Sequence, residues 1–213
     1  MLGHLSVADD EADGVGRLVF SRPVSARTYL VGKLVAAAMI LAALMAASVV
    51  VSGLSLWIVN RSTPASGDFA RLVAFYAVAW FYLMVFAVVG MLAMLLAGRR
   101  PLGLLSAMGA WLVVTFVLPQ FTSGLRPVAS LNPIVDPVST SQGFFRVTAH
   151  ARPVSIVEQY KSISAQILQI TTPEPLAQTL ARLVPIGAVL VAGSIVAGLA
   201  VRRHDFSKGA SRD

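Results

Sequence analysis

Cysteine is absent from the chain, so disulfides, thiolate zinc sites and cysteine nucleophiles are excluded and the redox compartment goes unstated. Charge is scarce too. Only 13% of residues are Asp, Glu, Lys or Arg, against about 25% in an ordinary soluble domain. Residues 34–59, 72–97, 102–118 and 183–201 contain no Asp, Glu, Lys, Arg or His. Proton relays and ion-coupled pumps need ionisable groups at membrane depth, which these stretches do not offer. No G-x-x-x-x-G-K-[ST] phosphate loop is present: Gly32-Lys33 is followed by Leu34, and Arg27 stands where the first glycine belongs. H-E-x-x-H and G-x-S-x-G are missing, and His4, His150 and His204 are scattered, so no catalytic, metal or cofactor set is assigned. The first residues carry Asp9, Asp10, Glu11 and Asp13 and hold no apolar run long enough for a signal-peptide core.

What is present is apolar length. About 17–25 apolar residues cross a bilayer as a helix, and only helices or closed barrels satisfy their backbone groups in lipid. The four stretches therefore predict an all-α polytopic membrane protein of about four spans. The net charge of +7 comes from residues dispersed among the flanking segments. No continuous phosphate-tracking stripe forms, so nucleic acid is not an expected partner. Putting both termini in the cytoplasm places Arg17, Arg22, Arg27 and Lys33 inside before the first span. It also places Arg99 and Arg100 in the inner turn, with Arg202, Arg203, Lys208 and Arg212 after the last span.

The expected organisation is a lead-in segment at 1–33, three spans at 34–118, an outer segment at 119–180, a last span at 181–203 and a tail at 204–213. Residues 8–20 can form a short amphipathic helix with acids in its first turn, stopped at Pro23. Gly98, Pro101 and Gly103 punctuate a compact turn between the second and third spans. In the outer segment Ile156, Val157, Tyr160, Ile163, Ile167 and Ile170 recur at helical spacing, with Glu158, Gln159, Lys161 and Gln166 between them. That pattern predicts an amphipathic helix at the membrane surface, ended by residues 171–175. Ser48, Ser52, Ser55, Thr115 and Ser194 are expected to bond across helices or back to their own. Trp57 reads as an interfacial anchor, and Trp80 and Trp111 as packing residues. Alanines at 36–38, 42–43 and 46–47 give the first span a small-residue face.

The most informative pattern straddles the approach to the first span: Glu11 and Gly14, then Ser21-Arg22-Pro23-Val24-Ser25-Ala26-Arg27, then Leu30-Val31-Gly32-Lys33. It resembles the permease subunits of ABC transporters of the type-2 exporter class, and most closely the branch associated with copper-enzyme maturation. That family shows E-x-x-G-T-L, then [ST]-x-P-[VL]-x-R, then L-x-G-K. Val15 stands where Thr is usual, and Ala26 stands where Arg is common, with Arg27 one place later. The likeness continues through Leu131-Asn132-Pro133 and ends at Arg202-Arg203-His204-Asp205-Phe206.

The resemblance implies a bacterial plasma-membrane permease that pairs with a separate ATP-binding cassette subunit and with a second copy of itself. It also implies that the segment holding Glu11, Gly14, Arg17, Ser21, Arg22, Pro23, Arg27, Gly32 and Lys33 is the coupling surface for the ATPase. The family generally carries two further spans ahead of this pattern, so the chain corresponds to the last four of six. The alternatives are a membrane scaffold or immunity-type protein that binds a partner through its outer segment, and an inactive truncated permease.

Overall fold

A computed structural model describes residue 3 and residues 25–61, 66–119, 153, 155–170 and 175–203. Among the described residues 92% are helical and none lies in a strand, so the chain is an all-α polytopic membrane protein. The described helices are α1 (Ala26–Asn60), α2 (Ser66–Ala97), α3 (Arg100–Leu112), α4 (Ile156–Ile167), α5 (Leu176–Ala181) and α6 (Val184–Arg203). Three helical stretches, Thr28–Val59, Ser66–Ala97 and Ala177–Val201, are long and apolar enough to cross a membrane. A fourth apolar stretch, Pro101–Val117, is shorter and sits at the lower limit of about 17 residues for a span.

Helix α1 begins well before the apolar run that marks it in the sequence. Ser25 caps it: its backbone is extended, and its Oγ accepts the Thr28 backbone N–H at 3.1 Å, which satisfies one orphan donor of the first turn. At the other end Arg61 closes the helix in the left-handed conformation at φ 49°. The 35 residues of α1 extend about 52 Å at the helical rise of about 1.5 Å per residue. Gly98 ends α2 at φ +60°, and its N–H returns to the Met94 carbonyl at 3.1 Å, a stop that glycine makes without a Cβ penalty. Helix α3 follows after Arg99, as the turn composition predicts, and passes into a π-helical segment at Val113–Val117. There the Leu118 N–H bonds Val113 O, the wider i→i+5 closure.

The described chain forms two compact units, one of residues 1–110 with 188–213 and the other of residues 111–187. In the first, Tyr29, Leu30, Ala37 and Leu41 of α1 pack with Met84, Ala87, Met91, Met94 and Leu95 of α2 and with Ala197 and Val201 of α6. Lipid is as apolar as these side chains, so what favours their contact is close packing. Small residues set how close it becomes. A Cβ at Gly193 would stand 2.9 Å from Val88 Cγ1, and one at Gly198 would stand 3.9 Å from Leu30 Cδ2. Met91 and Met94 are fully buried in this cluster, where an unbranched thioether adapts to irregular space.

In the second unit α4 forms where the spacing predicts it, over Ile156–Ile167. Its N-cap is Ser155 and its end is a Schellman turn: Gln169 sits at φ 55°, Ile170 N–H bonds Ala165 O and Gln169 N–H bonds Gln166 O. That turn corrects the expected apolar face. Ile170 falls beyond the helix and is 75% exposed, while Glu158 and Gln159 are buried at 7% and 8%. Glu158 faces Lys161 Nζ at 3.4 Å, with the lysine exposed. Gln166 Oε1 accepts the Thr179 hydroxyl at 2.7 Å, which ties α4 to α5.

The closeness of α6 to α2 makes a simple stability prediction. Gly193→Val places methyl groups where Val88 stands, and overpacking of this kind costs about 1–3 kcal/mol. Equilibrium unfolding in detergent micelles is expected to show that loss, with Val88→Ala recovering part of it in the double variant.

Candidate functional site

The described part of the coupling surface is the foot of α1. Glu11, Gly14, Arg17, Ser21, Arg22 and Pro23 lie outside the described residues. Arg27 stands in the first turn of α1, and Gly32 and Lys33 lie within the same continuous helix. Lys33 Nζ sits 5.7 Å from the centroid of the Tyr29 ring one turn earlier, a cation–π contact between i and i+4 neighbours. Tyr29 is itself buried in the three-helix core, so the ammonium is referenced to the packed part of the bundle. Gly32 is the opposite case. It is exposed, and a Cβ there would meet nothing within 4 Å. Packing among the described residues does not require glycine there, although glycine weakens a helix by about 1 kcal/mol relative to alanine.

Above this foot, α1 is fastened to α2 by two polar contacts. Trp80 Nε1 donates to the Ala38 carbonyl at 3.0 Å, and the Ser52 and Tyr76 hydroxyls share a hydrogen bond at 2.7 Å. The alanines around position 38 leave that carbonyl open to an indole from the neighbouring helix. The remaining serines turn inward on their own helices: Ser48 to Leu44 O, Ser55 to Val51 O and Ser194 to Leu190 O. Each uses the i−4 carbonyl.

Thr115 departs from the expectation. Its Oγ1 is buried and meets no hydrogen-bond partner. It lies in the π-helical segment, where the carbonyl ladder is displaced from the i−4 position that a hydroxyl ordinarily uses. Trp111 also departs, being 43% exposed rather than packed, with its ring edge-on to Phe116 at 5.5 Å. Trp57 is exposed near the end of α1, the place an interfacial anchor occupies.

Sequence reasoning found the serines and Trp80 but did not pair them. Ser52 and Tyr76 fall in different spans, and only the packing of α1 on α2 brings them together. Among the described residues no group of three His, Asp or Glu gathers that could hold a metal ion. Gly3 is buried, its backbone against Ala87 so closely that a Cβ would overlap the carbonyl.

Three comparisons bear on what this arrangement serves. A family model described as "ABC-2 family transporter protein" matches residues 1–203. No curated protein and no solved structure matches the chain.

The two fastenings are separable by experiment. A double-mutant cycle on Ser52→Ala and Tyr76→Phe is expected to give a coupling of about 0.6 kcal/mol, the usual size of such a bond between membrane helices. Trp80→Phe is expected to cost more, because the Ala38 carbonyl loses its donor and the core loses part of a large ring. Micelle unfolding of the four variants reads both.

Proposed function

The chain belongs to the ABC-2 transporter family and is a membrane permease subunit; from that premise we propose that a separate ATP-binding cassette subunit drives it through the segment leading into α1. The contact surface comprises Glu11, Gly14, Arg17, Ser21, Arg22, Pro23, Arg27, Gly32 and Lys33. Nucleotide-driven closure of two ATPase subunits presses on that surface, and two copies of the permease form the transport path between them. The membrane is the bacterial plasma membrane, with both termini in the cytoplasm where the ATPase is. Within the family the approach motif favours the copper-enzyme-maturation branch.

The observation that carries this reading is the match to the family over residues 1–203. The continuity of α1 supports the coupling role. An unbroken helix joins Arg27 to the far end of the span, so a displacement applied at its foot is transmitted without an intervening loop. Gly32 supports it as well, since the open space over it leaves room for a partner's close approach. The missing phosphate loop agrees with ATP binding on another chain. The absence of ionisable groups from the centre of each span leaves the chain no ion-coupled engine of its own.

The test is co-purification with an ATP-binding cassette subunit from the same organism. Arg22→Glu with Arg27→Glu is expected to weaken the complex about tenfold or more, because reversed charges meet the surface that the arginines complement. Gly32→Trp is expected to abolish the complex without lowering stability in micelle unfolding, since a side chain there meets open space and replaces a weak helix former. Unaltered association in both variants would refute the coupling role and favour a scaffold function.

A further inference from the structure

The helix that begins with α3 changes pitch near its end. Residues 113–117 are π-helical, and the Leu118 N–H reaches back five residues to Val113 O, where the α ladder reaches back four. Pro119 accounts for the change. It is buried and still helical, yet it has no N–H to give, and in α geometry its ring would collide with the Thr115 carbonyl four residues before it. A turn one residue wider relieves that collision.

Two side-chain observations weigh on this turn in opposite directions. The Trp111 and Phe116 rings meet edge to face, with centroids 5.5 Å apart and planes at 82°. At about 100° per residue an α-helix would set residues five apart about 140° from each other around its axis. The contact therefore belongs to the wider turn. Tyr82 and Phe86 of α2, four residues apart, make the equivalent contact at 5.1 Å in ordinary α geometry. The aromatic pair thus favours the π form.

Thr115 opposes it. Ser48, Ser55 and Ser194 each return their hydroxyl to the carbonyl four residues back. Among the described residues Thr115 Oγ1 is buried without a hydrogen-bond partner, although in α geometry the Trp111 carbonyl would serve it. A buried hydroxyl left unbonded disfavours the form that leaves it so.

We propose that this turn is a two-state element, in which the π form exchanges with an α form. In the α form the Trp111–Phe116 contact is broken, Thr115 bonds the Trp111 carbonyl, and the helix stops before Pro119. The exchange returns one residue from the widened turn to the length of the helix. The end of the helix is thereby rotated by about 100° and carried about 1.5 Å along its axis. All of these residues lie in the second unit, apart from the coupling surface, so the two readings can fail separately.

The test labels the full chain with 5-fluorotryptophan and follows Trp111 by fluorine NMR in micelles, its signal identified by loss in Trp111→Phe. The wild type is expected to give two Trp111 signals linked by exchange, the major one displaced by the Phe116 ring. Pro119→Ala removes the obstacle to α geometry and is expected to raise the minor-to-major ratio about tenfold or more. Thr115→Val deletes the hydroxyl at nearly constant volume and is expected to lower the ratio about fivefold. Thr115→Ser keeps the hydroxyl and is expected to stay within about twofold of the wild type. A single averaged signal that moves in Pro119→Ala toward its position in Phe116→Leu would support the exchange equally. A single signal that Pro119→Ala leaves in place would overturn it. So would two signals whose ratio ignores both Pro119→Ala and Thr115→Val, the mark of an indole flipping on a fixed backbone. If Pro119→Ala does not fold, the contrast between Thr115→Val and Thr115→Ser decides alone.

Discussion

Hydrocarbon offers no hydrogen bonds, and that single constraint organises this protein. Every backbone polar group within the spans must be satisfied by its own helix, which accounts for a described chain that is nearly all helix. The same constraint governs the side chains. Three serines return to carbonyls four residues back. A fourth finds Tyr76, and the indole of Trp80 finds Ala38. Charge is pushed to the helix ends, where water and headgroups solvate it. Chemistry is thus expelled from the spans, and what remains for them is shape and movement.

Much of the fold is legible in the sequence because hydrophobic length is so direct a signal. The runs at 34–59, 72–97 and 183–201 each correspond to a long helix. The compact turn is fixed by Gly98, whose positive φ follows from the residue type. The amphipathic repeat of α4 is found where its spacing puts it. Hydropathy is blind to capping, however. Ser25 starts α1 at Ala26 and Gln169 stops α4 early, each through backbone geometry that no apolar count registers. Burial of Glu158 and Gln159 is equally invisible to periodicity, because it depends on what packs over the helix. Trp111 misleads for a related reason: depth in a span does not distinguish a core position from a lipid-facing one.

The candidate site divides along similar lines. Family resemblance points to the approach to α1 as the coupling surface, and the match over residues 1–203 shows the family. Of the nine residues named for coupling, the structure describes Arg27, Gly32 and Lys33, and it adds two facts the sequence withholds. Lys33 is tied to a buried ring, and Gly32 faces open space. Packing also supplies the axial register of α1, α2 and α6, with position 193 beside Val88 and position 198 beside Leu30.

The length of α1 carries a mechanical consequence. At about 52 Å it is far longer than the hydrocarbon core of about 30 Å, and it contains no proline. Its packed contacts gather around Tyr29, Leu30, Ala37 and Leu41, near its foot, so a tilt that broke the Ser52–Tyr76 bond would pivot there. A tilt of about 5° about that fulcrum would swing the distant tip by about 3 Å and the foot by about 1 Å, given the helical rise. A small stroke at the foot of α1 would thus become a threefold larger one at its far tip.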